Sequence, residues 1–151
     1  MNSPLMKSFG ESRMREGECV LVVDLDGCIG MDSTFMGTLA GMAARLSAAE
    51  GGAMQVVAAD ERNRRSLEDL GLDFLMQINP EEAEWLGRLE EIRSCLEPAQ
   101  SLDSPSQLER ARHVLQAHEE LSDVNQDNAR EFRTVVGTLR DQISGQPNPE
   151  S

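Results

Sequence analysis

Two hydrophobic periods alternate along the first half of the chain. Apolar runs too short for a buried helix, at residues 19–25 and 53–59, predict strands, and the first is expected to be covered on both faces. A further short strand is predicted over 74–78. Apolar residues at helical spacing predict helices over residues 2–15, 32–49 and 60–70. This alternation predicts parallel strands joined by right-handed crossovers, which is an α/β fold.

The helix after the first strand carries a stripe of small residues. Asp32 or Ser33 is a natural N-cap, and the helix is expected to stop at Gly51 and Gly52. The small inward positions, three or four residues apart, are Gly37, Gly41, Ala44 and Ala48. Packing is the preferred interpretation, because small side chains would let the helix lie close against a sheet.

The second half of the chain is helical in pattern. Asn79 and Pro80 predict a helix start, and Ser104-Pro105 with Gln107 predicts another cap. The three apolar stripes are Leu86, Leu89, Ile92 and Leu96; Leu108, Val114 or Leu115, and Leu121; and Phe132, Val135, Val136, Leu139 and Ile143. These stripes must be buried on the sheet or on another chain. We therefore expect an α/β domain over 1–80, a helical extension over 81–144 with a linker at 98–103, and a disordered tail over 145–151.

The amino-acid composition limits the classes of partner that the chain is expected to bind. The chain has 27 acidic and 14 basic residues, a formal charge of -13, which disfavours nucleic acid and anionic membrane surfaces. Its three cysteines show no CxxC spacing, and the N-terminus lacks the apolar core of a signal peptide. Since no apolar run approaches the roughly 20 residues of a membrane span, we expect a soluble, cytoplasmic protein.

Two aspartates end the first strand. The segment LVVDLDGCIG resembles the first motif of haloacid-dehalogenase-type phosphatases, which implies Asp24 and Asp26 as nucleophile and general acid beside Mg²⁺. Alternation along a strand would point both carboxylates the same way. The only lysine, Lys7, lies upstream, however, and no later strand ends in an acidic pair. This phosphatase stays an alternative function, and no metal or cofactor is expected.

Three blocks in register carry a second resemblance. They are the strand, turn and Asp-Ser-Thr of VVDLDGCIGMDSTFMGTLAG; the strand and helix of AMQVVAADERNRRSLEDLGL; and the final strand of DFLMQI. Over about 3–78 the chain resembles the STAS domain family, the fold of bacterial anti-sigma factor antagonists. That family has one or two strands before its first helix, so we expect upstream residues, the C-terminal helices or a second copy of the chain to complete the sheet.

The resemblance implies a phosphorylation site. In the family the serine directly after the aspartate is phosphorylated, which is Ser33 here, with Thr34 as a second acceptor. The residues themselves support this, because a hydroxyl at a helix N-terminus is exposed and the unpaired N–H groups there receive phosphate oxygens. A phosphate would add about -1.5 to -2 charge and repel Asp32 and an acidic or apolar partner. The alternative is that Ser33 is merely the N-cap, worth about 1 kcal/mol.

By the same resemblance, the chain is a non-enzymatic signalling protein that works by partner switching. A protein-serine kinase that is also the anti-sigma factor would bind the unmodified site, and a metal-dependent serine phosphatase would restore it. The expected contact residues are Asp32, Ser33, Thr34, Phe35 and Met36. Phe35 replaces a common family glycine, and either alters the fit to the partner or points into the core. A homodimer, and a scaffold that assembles without phosphorylation, are the remaining expectations.

Overall fold

The computed structural model describes residues 2–97 and 104–145. Within them, three strands form one sheet: β1 (Val20–Asp24), β2 (Ala53–Val57) and β3 (Gln77–Ile78). The helices are α1 (Ser3–Arg15), α2 (Ser33–Ser47), α3 (Glu61–Asp69), α4 (Leu89–Cys95), α5 (Gln107–Val124), α6 (Gln126–Glu131) and α7 (Arg133–Ser144). The predicted linker 98–103 and residues 146–151 of the predicted tail lie outside the described residues.

The sheet is parallel, with the order β1-β2-β3. Its inner face holds the core, where Met54 and Val56 of β2 are 1% and 0% exposed. Leu21 and Val23 of β1 pack against the same core from the edge of the sheet. The alternation of strands and helices thus gives the predicted α/β fold with C-terminal helices, which confirms the predicted fold class.

The prediction that β1 is covered on both faces is wrong. Val20 and Val22 are 42% and 43% exposed on the outer face of the sheet. The segment after β3 reaches this face through polar contacts: Trp85 Nε1 donates to Gln55 Oε1 at 2.7 Å, and Arg93 binds Asp24. Because these contacts are made by single side chains, the two valines stay open to solvent.

The end of β3 also differs from the prediction. Gly71, at φ +74°, ends α3, and Leu72 packs back into the core, so β3 is shorter than the predicted 74–78. Asn79 does not start a helix. Its side chain donates to the carbonyl of Ala59 at 2.8 Å and accepts from the Ala59 N–H at 3.0 Å, which ties the ends of β2 and β3 together. The next α-helix, α4, begins only at Leu89.

The cap of α5 lies two residues beyond the predicted one. Ser106 Oγ accepts from the Glu109 N–H at 3.2 Å, and Glu109 Oε2 accepts from the Ser106 N–H at 2.7 Å. This reciprocal pair is a capping box, with glutamate at the third helical position. The predicted cap at Ser104-Pro105 is therefore wrong, although a helix over the second stripe is present.

The last helices add a layer to the fold. Helix α2 lies between the sheet and α5, with Leu39 of α2 and Leu121 of α5 fully buried in one core cluster. From the third stripe, Phe132 and Val136 join that cluster, whereas Val135 is 40% exposed. No residue of α4 is buried. Of the second and third stripes, Leu121, Phe132 and Val136 are thus buried inside this chain, and the division at residue 80 stays a prediction.

Candidate functional site around Ser33

Ser33 is the first residue of α2, where the loop after β1 enters the helix. The residue before it, Asp32, has an extended backbone, and its Oδ1 accepts from the Phe35 N–H at 2.7 Å. Asp32 is therefore the N-cap, and the interpretation of Ser33 as merely the N-cap is wrong. The Ser33 hydroxyl is left to make a contact of its own.

That contact is a hydrogen bond to a histidine 85 residues away. Ser33 Oγ lies 2.9 Å from Nε2 of His118 on α5, and His118 Nδ1 lies 2.7 Å from the carbonyl oxygen of Val114. A carbonyl can only accept, so Nδ1 carries the proton. In the neutral ring, Nε2 is then the acceptor and the Ser33 hydroxyl donates to it.

His118 is held firmly in place. It is 5% exposed, and its ring meets Phe132 edge to face, with the centroids 5.4 Å apart. The sequence prediction missed this residue. The available signal was its position four residues after Val114 and three before Leu121, on the buried side of the helix.

Close contact between α2 and α5 supports the hydrogen bond. A Cβ built on Gly37 would lie 2.0 Å from the carbonyl oxygen of Ala117, so only glycine fits at this crossing. At Gly41 the nearest atom is Cδ of Glu120, at 2.8 Å. The expectation that the small stripe packs on the sheet is wrong, because its glycines face α5, and Ala44 is exposed.

A second histidine of α5 contacts α1. His113 Nε2 lies 2.9 Å from Ser3 Oγ, and Lys7 Nζ donates to Gln116 Oε1. Partial burial is the main cause that lowers the pKa of His113, and the charge of Lys7 adds to it, while Asp32 opposes the shift. Helix α2, which carries Ser33, is thus tied to α5, and α5 is in turn tied to α1.

An open groove lies on the other side of the α2 N-terminus. Its lining residues are Ile29, Gly30, Met31, Asp32, Arg62 and Ser66, around a volume of about 490 Å³. Asn63 of α3, 1% exposed, holds the adjoining loop by donating from Nδ2 to the Cys28 carbonyl at 2.8 Å. The groove is therefore built from a well-anchored loop and the first two turns of α3.

The basic residues of α3 divide into two groups. Arg64 and Arg65 pair with Glu61, at 2.7 and 2.9 Å, and the hydrogen bond from Arg64 is the main cause that lowers the pKa of that carboxyl. Within residues 2–97 and 104–145, Arg62 has no carboxylate within ion-pair distance. Its guanidinium lies near Gly30, where a Cβ would be 3.9 Å away. Arg62 is thus the cation at the groove beside Ser33.

The expected contact residues fall into two groups as well. Asp32 is exposed, and Ser33 and Thr34 are half-buried. Phe35 and Met36 are 7% and 9% exposed and belong to the core. Phe35 was expected either to alter the fit to a partner or to point into the core, and its side chain points into the core. A partner would reach these two side chains only if their covering elements moved.

The carboxylate of Asp24, the first of the two aspartates, binds an arginine of α4. Asp24 accepts two hydrogen bonds from Arg93, at 2.7 and 3.0 Å, and one from the Asp26 N–H at 3.0 Å. The Arg93 hydrogen bonds are the main cause that lowers the pKa of Asp24. Because β1 ends at Asp24 and Asp26 lies in a turn, strand alternation does not align the two carboxylates. In the part of the chain that is described, no group of three acidic, histidine or cysteine residues could hold a metal.

The chain thus has an α/β domain with a small parallel sheet. At the carboxyl end of that sheet, a serine in the first turn of α2 forms a polar site. The STAS domain family matches residues 2–85 of this chain. The chain belongs to the STAS domain family. No curated protein and no solved structure matches it. Helix α5, which covers Ser33, lies beyond the matched residues.

Among the helices within residues 2–97 and 104–145, none is both long and apolar enough to cross a bilayer.

Proposed function

We propose that this chain is an anti-sigma factor antagonist that works by partner switching, and that its switch is phosphorylation of Ser33. The observation that carries the proposal is the place of Ser33: it follows the capping Asp32 in the first turn of α2, in a STAS domain. First-turn N–H groups of a helix receive phosphate oxygens, and the added charge changes which partner surface fits.

In this function the chain has no catalytic residue, and it exchanges partners according to the state of Ser33. The unmodified protein binds an anti-sigma factor that is also a protein-serine kinase. The kinase transfers phosphate to the Ser33 hydroxyl and releases the protein. A metal-dependent serine phosphatase then removes the phosphate. The exposed carboxylate of Asp32 and the half-buried Thr34 lie beside the acceptor and would contact the kinase.

The first test is phosphate incorporation from a candidate anti-sigma kinase, with the modified residue mapped by mass spectrometry. Label is expected at Ser33 and should be lost in Ser33→Ala. Thr34→Ala is the matched control at the neighbouring hydroxyl and should keep the label. Label that survives the replacement of both residues would refute the site.

The second test is affinity for the same kinase. Ser33→Asp places a negative charge at the site, and Ser33→Asn has nearly the same shape without the charge. The aspartate variant should bind more weakly than the asparagine variant, with the difference shrinking at high salt. Equal affinities would contradict an electrostatic switch.

A second candidate function is a STAS scaffold that assembles with a partner without phosphorylation. The hydrogen bond from Ser33 to the buried His118 favours it, because the hydroxyl already has a structural partner. A stable, stoichiometric complex that leaves Ser33 unmodified would support this function over partner switching.

A further inference from the structure

Helix α5 occupies the space beside the Ser33 hydroxyl. The hydroxyl lies 2.9 Å from the His118 ring, and that ring is 5% exposed and packed against Phe132. A phosphate on Ser33 would need three more oxygens and their hydration where the ring now lies. The docked position of α5 therefore fits the free hydroxyl and conflicts with the phosphate.

The docked position is held at separate points along α5. Near its middle, Gly37 lets the backbone of α2 approach the carbonyl of Ala117. Just beyond its C-terminal end, the side chain of Asn128 in α6 donates to the Leu70 carbonyl at 2.9 Å. Because the Asn128 contact is remote from Ser33, undocking near His118 does not require the whole extension to unfold.

We propose that α5 is a built-in gate on Ser33: it is docked while the hydroxyl is unmodified, must leave for a kinase to reach Ser33, and is kept away by the phosphate. The gate rests on the proposed phosphorylation of Ser33. It lies in residues beyond the STAS match, so it is a property of this chain's extension. Because a kinase reaches only the released form, whatever releases α5 raises the population that can be phosphorylated. The phosphate in turn favours the released form.

The first test needs no kinase. Hydrogen exchange of the α5 amides is followed by mass spectrometry in the full chain, for wild type, Ser33→Asp and Ser33→Asn. A carboxylate has no proton to donate to Nε2, so the hydrogen bond made by the hydroxyl is lost and α5 should exchange about 100-fold faster than in wild type. The asparagine amide can donate to Nε2 and should keep the slow exchange. Thr34→Asp adds the same charge one residue along, with no hydrogen bond to α5, and should also stay slow.

The second test measures the rate at which a serine kinase labels Ser33. His118→Ala removes the acceptor and should label several-fold faster than wild type, whereas His118→Gln, which keeps an acceptor, should label more slowly than the alanine variant. Circular dichroism of each variant checks that the rest of the chain stays folded.

The outcomes separate the gate from the function on which it rests. Slow α5 exchange in Ser33→Asp, equal to that in Ser33→Asn, overturns the gate, as does a phosphorylated protein with α5 still docked through Lys7 and His113. If exchange responds to Ser33→Asp but no variant is ever labelled at Ser33, the coupling between Ser33 and α5 stands and the partner-switching function fails.

Discussion

Gly37→Ala probes the docking of α5 without touching Ser33 or His118. A Cβ at this position would lie 2.0 Å from the carbonyl oxygen of Ala117 and 2.5 Å from its carbonyl carbon. Both are main-chain atoms of α5 and cannot rotate away. To reach an ordinary contact distance, the two helices would have to separate by roughly 1.4 Å at this point.

The magnitude follows from two opposing effects. Overpacking costs about 1–3 kcal/mol, and replacing glycine by alanine inside a helix returns about 1 kcal/mol. Since a backbone must move, we expect a cost near the top of the range, about 2–3 kcal/mol, in the free energy that holds α5 in place. The helix gain offsets part of this only in global unfolding, where the net loss should be about 1–2 kcal/mol. Each 1.4 kcal/mol raises the opening equilibrium of α5 about tenfold.

The assay is hydrogen exchange of the α5 amides together with urea unfolding followed by circular dichroism. The matched control is Gly41→Ala, one turn further along the same helix, where the obstructing atoms belong to the flexible side chain of Glu120. That side chain can swing aside, so the control should be neutral or gain up to about 1 kcal/mol. If Gly37→Ala were as stable as Gly41→Ala, and exchanged as slowly, the close backbone contact would not hold α5.

Three further substitutions test other contacts, each by urea unfolding. Asp24→Asn removes a carboxylate whose pKa the Arg93 hydrogen bonds lower. The stability that this carboxylate contributes is present above its unfolded pKa and is lost on acidification, so the wild type should lose stability below about pH 4 more steeply than the variant. Parallel curves of stability against pH would contradict this role. Asn128→Ala leaves the Leu70 carbonyl without this donor and should cost about 1–3 kcal/mol, whereas no loss would mean that the bond is not made in solution. Ala58→Gly should gain about 1 kcal/mol, because Ala58 has φ +55°, and a loss would contradict backbone strain there.

The sequence predicts the fold well where hydrophobic period and chain direction decide the result. The change of period at Asp32 locates α2, and the alternation of strands and helices fixes the parallel sheet. Ser33 is also found this way, since its place depends only on the strand, the loop and the cap around it.

Contacts between distant segments could not be predicted in the same way. The valine-rich run of β1 is compatible with a sheet covered on one face or on two, and the choice depends on where the segment with Trp85 and Arg93 docks. Asn79 followed by Pro80 is equally suited to a helix start and to a bend, and the pairing of Asn79 with Ala59 decides between them. Local patterns leave such choices to tertiary contacts.

The contact made by His118 is the clearest example of one that local sequence patterns do not predict. An amphipathic stripe shows that α5 must be buried, but it does not name the surface that covers it. The small stripe of α2 likewise shows that something approaches closely, without showing whether it is a sheet or a helix. Each helix supplies half of the contact, and the hydrogen bond from Ser33 to His118 follows only when Gly37 is placed against Ala117.

Helix α2 therefore joins three functions of the chain in one element. Its apolar side, with Leu39, is buried in the core; its glycine side receives α5; and its first residue carries the hydroxyl that is the proposed phosphate acceptor. A change at Ser33 acts on α5 directly, because the hydroxyl and His118 are in contact. Since the family match ends at residue 85 and His118 lies beyond it, the response of this chain to phosphorylation has to be measured on the full chain.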